Sequence, residues 1–491
     1  MNQVAAEPIP AVHEPQTLAV LRGALWLRQH WLAFALCSAA VLIPCFWHRH
    51  IQAADLGSHL YTAWLTQAVS RGYLPGLHLE RQYTNVLVDW LLSTLFPYLG
   101  AVGTERTVVA FCVLTFFWGS FAFVSSAAQK PAWSVVPLLA MVSYGAIFHW
   151  GFFNFYLSVG FSLFALAIIL RGSAKDLLLL PILLALAALA HPMGAACLIA
   201  LGLYVATLRW FSPRYQIILT LILLAASFAV RAYLVHHFEV LQRETTVYWL
   251  LGADQLVVFG HGYLWFGVIA LALCAVSIIL ALREQRLLAI SPWLQLYLLV
   301  ALVVFFAPGG LFDEDTLGMM GYLPDRGSLY SAVALAALVA TCRPRRWFAI
   351  TCAALGIVFF TAIYRDTAVL ERRDAKVAKL VQPYAGRRII SMIPPIPGSR
   401  IHENHSVDRA CIGHCYSYSN YEPSTKQFRL KADPDNRIVE IADEALDAMK
   451  DGSYIVKPQD LPLYEVYPCG KGVLDLCISE LHASQQNGDV P

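Results

Sequence analysis

The chain is dominated by long apolar runs that alternate with short polar segments. A helix needs about 20 mainly apolar residues to cross the hydrocarbon core of a bilayer. The apolar runs predict eleven such helices, at about 31–47, 104–127, 132–148, 151–170, 177–190, 192–208, 215–235, 262–282, 288–307, 327–341 and 346–363. The pattern therefore predicts an all-α polytopic membrane protein.

Residues 84–100 have a helical pattern, but we predict that they do not span the membrane. The segment is short, contains Asp89 and is interrupted by Pro97. If it spanned the membrane, Lys130 and every later basic cluster would move to the outer side. We interpret it as an amphipathic helix on the outer surface, within a first outer loop that extends from 48 to 103.

The basic residues predict the orientation, because Lys and Arg accumulate in short cytoplasmic loops. If the N-terminal segment 1–30 is cytoplasmic, every basic cluster between the predicted helices is cytoplasmic too. These clusters are Lys130, Arg171 with Lys175, Arg209 with Arg214, Arg283 with Arg286, and Arg343 with Arg345 and Arg346. Residues 31–47 then act as a signal anchor, and eleven helices place the C-terminus outside.

Composition agrees with a membrane location. Hydrophobic residues make up 58% of the chain and charged residues only 14%, whereas a soluble domain carries roughly 25% charged residues. These values argue against a water-soluble enzyme and against intrinsic disorder. A net charge of +2 gives no indication of nucleic-acid binding. A bacterial inner membrane with a periplasmic C-terminus is the expected setting.

The composition changes near residue 364, where charged residues become frequent. Strand-like stretches occur at 388–393 and 453–456, and a helical stretch occurs at 438–450. Together they predict that 364–491 form a small extracytoplasmic α/β domain, with 31–363 as the transmembrane domain. A segment of about 125 residues is long enough to bury a core of its own.

The cysteines are divided between the two predicted domains. Seven lie in or beside predicted spans, where Cys behaves as a small hydrophobic residue. Cys411, Cys415, Cys469 and Cys477 lie in the exported segment, which favours two disulfides of undetermined pairing. A metal site that includes His402, His405 or His414 is the alternative.

Polar residues collect on the predicted outer face. In this topology every histidine except His13 and His30 faces outward. Those nearest the membrane are joined by other polar residues, and the set comprises Asp55, His59, His149, Asn154, His191, Asp325 and Arg326. Each alone has an ordinary explanation as a helix cap or an interfacial residue. Polar groups that converge on one face of a helical bundle nevertheless indicate a cavity there.

The region from 31 to 210 carries a resemblance to a known family. The sequence DLGSH at 55–59 follows the first span, and the predicted surface helix follows it in turn. The next span then opens on GTER at 103–106. This order resembles the integral-membrane glycosyltransferases of the GT-C fold, such as the protein O-mannosyltransferases and the lipid A aminoarabinose transferase. Two departures are Leu56 in place of a second acid and Thr84-Asn85 in place of a Pro-Pro pair.

The resemblance implies transfer of a sugar from a polyprenyl-phosphate donor, with inversion and without a metal or other cofactor. Asp55 would be the general base, and His59 would orient it or bind the donor phosphate. Arg326 would hold that phosphate, because a guanidinium binds phosphate oxygens in a bidentate manner. Additional substrate contacts would come from His149, Asn154 and His191. The acceptor would be a lipid, a glycan or a protein.

Other interpretations remain open. The alternative for Asp55 is a helix cap, and the alternative for Arg326 is an interfacial side chain paired with Asp325. At the level of the whole chain, the alternatives are a transporter or flippase for a lipid-linked or polar substrate, and a non-enzymatic envelope assembly protein. A transporter is expected to have charged residues at mid-span, whereas the predicted spans are nearly free of charge apart from Arg231.

Overall fold

The computed structural model describes residues 30–208, 210–241, 251–313, 318–401, 405–425 and 427–483. The predicted cytoplasmic segment up to residue 29, Arg209 and His402 lie outside these ranges. The chain divides into two units, Met1–Ile43 and Pro44–Pro491. Most of the apolar helix α1 (His30–Cys45) belongs to the first unit.

The second unit is mostly helical. Its helices are α2 (Leu56–Ser70), α3 (Leu87–Ala128), α4 (Val136–Ser143), α5 (Ala146–Trp150), α6 (Phe153–Arg171), α7 (Ala174–Leu177), α8 (Leu180–Ala190), α9 (Pro192–Thr207), α10 (Pro213–His237), α11 (Leu264–Glu284), α12 (Pro292–Phe306), α13 (Leu323–Thr341), α14 (Arg346–Val381), α15 (Ser406–Cys411) and α16 (Asp443–Asp451).

Several of these helices have the length and composition of membrane spans. Within the described ranges there are six, at Leu87–Ala128, Trp133–Trp150, Phe153–Arg171, Pro213–His237, His261–Glu284 and Arg346–Val381. Helices α1, α9 and α12 are apolar but shorter. This arrangement is compatible with an integral membrane protein, as the apolar runs predict.

Helix α3 is 42 residues long but is not continuous in conformation. Gly100 lies inside it with φ 64° and ψ −179°, which is not helical. Glycine adopts a positive φ at little steric cost because it has no Cβ. The kink therefore separates the segment predicted as a surface helix from the apolar stretch that follows, close to the predicted boundary at residue 100.

The strands are short and form three small sheets. They are β1 (Leu77–Leu79), β2 (Glu239–Leu241), β3 (Gly310–Asp313), β4 (Gly318–Met320), β5 (Arg388–Ser391), β6 (Tyr416–Ser417), β7 (Leu430–Ala432), β8 (Leu463–Pro468) and β9 (Leu476–Leu481). The largest sheet has the order β6-β5-β8-β9, and β5 is parallel to both of its neighbours. Strands β2, β3 and β4 form an antiparallel sheet, and β1 pairs with β7.

The C-terminal region shares its core with the segment that precedes α3. Tyr61 and Leu65 of α2 belong to the same hydrophobic cluster as Val377 of α14 and Val466 of β8. Strand β1 adds an antiparallel pairing with β7. Helix α14 also continues without a break through the predicted domain boundary at 364. A smaller cluster lies wholly within 364–491 and comprises Ile390, Tyr418, Met449, Val456 and Leu463. The C-terminal region therefore buries a core that is partly its own and partly shared with α2 and β1.

The four cysteines of the C-terminal region form two disulfides, as their segregation predicts. Cys411 is bonded to Cys415, and Cys469 is bonded to Cys477. The first bridge lies at the end of α15 and is buried in the shared cluster. The cysteines of the apolar helices are free thiols.

Candidate functional site

The start of α2 is held tightly against the end of α5. The backbone N–H of Ala54 donates to the carbonyl of His149 at 2.8 Å, and that of Asp55 donates to the carbonyl of Trp150 at 3.2 Å. Gly151 follows with φ 83°, and a Cβ there would lie 2.7 Å from the backbone nitrogen of Asp55. Only glycine fits this approach, so the position of Asp55 is fixed by backbone packing.

The Asp55 carboxylate faces the C-terminal region. Asp55 occupies the N-cap position of α2, but in the described structure its side chain makes no capping hydrogen bond. Its Oδ1 atom lies 3.6 Å from Nε2 of His405, and the side chain is 13% exposed. The capping interpretation therefore has no support from this geometry, and the carboxylate is available to a neighbouring group.

His405 connects Asp55 to a second carboxylate. The Nδ1 atom of its imidazole is hydrogen-bonded to Oδ2 of Asp408. Burial alone would lower the pKa of His405, but the hydrogen bond to Asp408 and the nearby Asp55 carboxylate raise it to about 10. The imidazole is therefore cationic at neutral pH.

Arg326 lies in the first turn of α13, close enough to Asp55 for the two charges to interact. Its guanidinium carbon is 4.5 Å from the centre of the Phe152 ring and 5.9 Å from that of Phe155. Its Nε atom is buried and has no hydrogen-bond partner among the described residues. Asp325, the partner expected for an interfacial arginine, instead accepts a hydrogen bond from Arg400. Arg326 is thus a cation packed on aromatic rings, with Asp55 among the groups that act on its charge.

His59 lies one turn along α2, between two carboxylates. Its Nδ1 atom is 3.3 Å from Asp89 and 3.1 Å from Glu422. Burial would lower the pKa of His59, but the charges of Glu422 and Asp89 raise it to about 9. Ser58 also donates to Glu422, at 2.6 Å. Since two carboxylates repel a phosphate, this geometry favours a role for His59 in holding Glu422 on α2 over the predicted phosphate contact.

His149 and His191 are both used in backbone contacts. The Nδ1 atom of His149 donates to the carbonyl of Gln52 at 2.9 Å. His191 caps α9, with its Nδ1 atom accepting from the N–H of Met193 at 3.2 Å. Its ring meets Phe155 edge to face at 5.4 Å. His191 therefore supports the aromatic surface on which Arg326 lies, and His149 supports the loop before Asp55.

Asn154 fixes the start of α3 on α6. Its side-chain oxygen accepts from the N–H of Val88 at 2.8 Å, and its amide donates to Asp89 at 3.3 Å. Asp89 in turn faces His59. Asn154 therefore positions the His59 cluster, and its predicted contact with substrate stays a prediction.

A second buried charge network, apart from the contacts of Asp55 and His59, is centred on Arg409. Arg409 of α15 contacts Glu105 of α3 at 2.7 Å and Asp374 of α14 at 3.6 Å. Glu105 also accepts from the N–H of Ile51 at 2.7 Å and lies 3.1 Å from Nδ1 of His50. The network links α15 to α3, to α14 and to the segment that precedes α2, and it fixes α15 beside the start of α2.

The sequence pattern does not reveal the C-terminal members of the site. His405 enters only as a possible metal ligand, and Asp408, Arg409 and Glu422 have no distinctive spacing. A signal does exist in Asp89 and Glu105, because a carboxylate in or next to an apolar helix needs a partner. It indicates that partners exist but does not identify them.

No group of three or more His, Cys, Asp or Glu side chains in the described ranges is arranged to hold a metal ion. The site instead consists of the Asp55 carboxylate with two cationic side chains near it, His405 and Arg326. The imidazole of His59, which contacts two other carboxylates, lies one helical turn away. No protein-family model, no curated protein and no solved structure matches the chain.

Proposed function

We propose that this protein is an integral-membrane glycosyltransferase of the GT-C type, with Asp55 as its general base. The observation that carries the proposal is the Asp55 carboxylate itself, which caps no helix, lies 3.6 Å from Nε2 of His405 and interacts electrostatically with Arg326. The wider setting belongs to the proposal as well. It comprises eleven spans, a cytoplasmic N-terminus, a periplasmic C-terminus and a bacterial inner membrane.

The reaction transfers a glycosyl group from a polyprenyl phosphate to a hydroxyl or an amine of the acceptor. The acceptor oxygen or nitrogen attacks the anomeric carbon while the bond from that carbon to the phosphate oxygen breaks, which inverts the configuration. Asp55 takes the proton that the acceptor loses and later releases it to solvent. The polyprenyl phosphate leaves with the bonding electron pair.

Arg326 is suited to the developing charge of the leaving group. A cation is most effective where negative charge grows in the transition state and water is excluded. The guanidinium is packed on Phe152 and Phe155, and its buried Nε has no hydrogen-bond partner among the described residues. A donor phosphate would satisfy that nitrogen, which supports the assignment of Arg326 to phosphate binding.

The test measures sugar transfer by the purified protein in proteoliposomes. Polyprenyl phosphates that carry radiolabelled mannose, glucose or aminoarabinose are supplied together with membrane acceptors. Because a general base contributes about 10²–10⁴-fold in rate, Asp55→Asn is expected to lower transfer by at least 10²-fold. Asp55→Glu is expected to lose on the order of 10²-fold, since a displacement of about 1 Å is costly in a preorganised site.

The matched control is Asp447→Asn, which neutralises an aspartate whose side chain is 82% exposed. It is expected to leave transfer unchanged. Normal turnover by a folded Asp55→Asn variant would remove the general base from the mechanism. Tight donor binding without transfer by any variant would favour a carrier of lipid-linked substrates instead.

A further inference from the structure

The group nearest to Asp55 comes from the far end of the chain. His405 directly precedes α15 and forms the middle of a carboxylate–imidazole–carboxylate chain. Asp408 is bonded to its Nδ1 atom, and Asp55 lies 3.6 Å from its Nε2 atom. The Nε2 atom is buried and has no hydrogen-bond partner in the described parts of the chain. A buried donor of this kind calls for a functional explanation.

We propose that His405, held by Asp408, is a positioning residue for Asp55. The imidazole fixes the direction of the Asp55 carboxylate. The inference rests on the proposed function in one respect, namely that Asp55 is the base. The distance of 3.6 Å is longer than a hydrogen bond, and catalytic contacts commonly shorten when substrate binds.

The backbone around His405 is seated directly on α2. A Cβ at Gly57 would lie 2.7 Å from the carbonyl oxygen of His405, so the two segments touch without an intervening side chain. Ser406 donates to Asp374 of α14, and Arg409 binds Glu105 of α3. The imidazole is thus placed by contacts with three helices, which is the rigidity that a positioning role requires.

Several charged groups surround this pair, and all of them set its protonation. Those that act on Asp55 or His405 directly are His59 of α2, Arg326 of α13 and Asp408 of α15. The Tyr421 ring lies 5.5 Å from the imidazole. His405 also lines a small cavity of about 50 Å³ whose other titratable side chains are His149, Arg373, Asp374 and Arg409. His59, Arg326 and His405 are the cationic groups of this set that interact with the Asp55 charge.

Removal of one of these cations has a predictable electrostatic effect. A positive charge within about 4–6 Å favours the ionised form of a carboxyl group by roughly 1–3 pH units. Burial lowers the pKa of His405, but the carboxylates of Asp408 and Asp55 raise it to about 10, so the imidazole is charged wherever transfer is measured near neutral pH. Without this cation, the acidic limb of the rate profile should move upward.

The first test compares kcat/KM profiles between pH 5 and 9 for His405→Gln and Asp408→Asn. The expected result for His405→Gln is an acidic limb displaced upward by about 1–3 pH units, with the loss largest at low pH. Asp408→Asn should give a smaller displacement in the same direction. Asparagine keeps a hydrogen bond to His405 but lacks the carboxylate charge that helps to keep the imidazole protonated. His78→Gln, at an exposed pair with Asp433, is the matched control. A loss that is equal at every pH would show a merely structural role and overturn the proposal.

A second readout requires no substrate. Infrared pH-difference spectra of the full chain in detergent contain a protonated-carboxyl band for Asp55, which is identified by its absence in Asp55→Asn. That band should appear at higher pH in His405→Gln than in the unsubstituted protein. An identical midpoint in the two proteins would refute the coupling. Failure of sugar transfer in the unsubstituted protein would refute the glycosyltransferase function alone, since the infrared measurement is independent of it.

Discussion

At the scale of single residues, the arginines near the candidate site differ in the groups that they contact. Arg400 binds Asp254 and Asp325, and Arg409 binds Glu105 and Asp374. The guanidinium of Arg326 lies instead over two phenylalanine rings. A buried cation is expensive unless it is compensated, so its position beside Asp55 indicates a purpose beyond packing.

Arg326→Lys should weaken donor binding although the positive charge is retained. Lysine loses the bidentate geometry of the guanidinium, and hydrogen bonds between charged groups contribute about 1.5–3 kcal/mol, or roughly 10–150-fold in affinity. Binding of a polyprenyl-phosphate sugar, measured by calorimetry in detergent, checks this. Arg345→Lys, at an exposed pair with Glu284, is the control. Unchanged affinity in both Arg326→Lys and Arg326→Ala would assign Arg326 to an interfacial anchor.

The raised pKa values of His59 and His405 predict that the folded protein becomes less stable at alkaline pH. The pKa of His59 is raised to about 9 and that of His405 to about 10, from about 6.5 in an unfolded chain. Because the folded state binds these protons more tightly, the stabilisation is complete below about pH 6.5 and is lost as pH rises through 9 to 10. Its size is on the order of a few kcal/mol.

The measurement for this pH effect is the midpoint of thermal unfolding in detergent between pH 6 and pH 10. The midpoint should fall across this interval, and His59→Gln and His405→Gln should each flatten the dependence. A midpoint that rises with pH in the unsubstituted protein would contradict the assignment of protonated imidazoles.

At the scale of elements, α15 depends on its surroundings. It has six residues, far fewer than the 12 to 15 or so that an isolated helix needs for marginal stability. Two features compensate, namely the disulfide from Cys411 to Cys415 at its end and the contacts of Arg409. The helix that follows His405 is therefore stabilised by its contacts with the rest of the protein.

Arg409→Ala should destabilise the protein by about 3–5 kcal/mol, because it leaves the buried carboxylate of Glu105 without its cation. Arg409→Leu fills more of the volume and should be similarly harmful for the same electrostatic reason. Chemical or thermal unfolding in detergent provides the measurement. Arg437→Ala removes an exposed arginine and should have little effect. Equal stability of Arg409→Ala and Arg437→Ala would mean that the network is not a stabilising link.

Elements whose signal is local were predictable. The apolar run at 215–235 lies inside α10, and the run at 262–282 matches α11 to within two residues at each end, since helical hydrogen bonds form within a few residues. The break at Gly100 also has a local cause, in a residue that tolerates positive φ. In contrast, β1 pairs with β7 across more than 300 residues, and two three-residue strands carry too little pattern to reveal that pairing.

At the scale of the whole molecule, the difference between local and long-range signals explains which residues of the site could be predicted. Asp55 and His59 were recognisable because they follow a span at a characteristic spacing. Their partners His405 and Glu422 lie more than 300 residues away and meet them only in the folded chain. The two halves are joined by tertiary packing, for which a single sequence contains no periodic signal.

This packing predicts that residues 364–491 will not fold alone. The fragment lacks Tyr61, Leu65 and Leu77 of the shared hydrophobic cluster, and β7 loses its partner strand. Circular dichroism and heteronuclear NMR of the isolated fragment should show no cooperative thermal transition and little chemical-shift dispersion. The full chain in detergent is the reference. A sharp unfolding transition of the fragment would restore the interpretation as an autonomous domain.

In the proposed setting, helix α14 sets the height of the site above the bilayer. Its 36 residues span roughly 54 Å at 1.5 Å per residue, whereas the hydrocarbon core is about 30 Å thick. Val377 and Val381 at its far end are anchored in the C-terminal core. In that setting, the length of α14 keeps the reacting groups at a fixed distance from the bilayer. A lipid-linked donor is then selected by how far its phosphate extends from the membrane as well as by its chemistry.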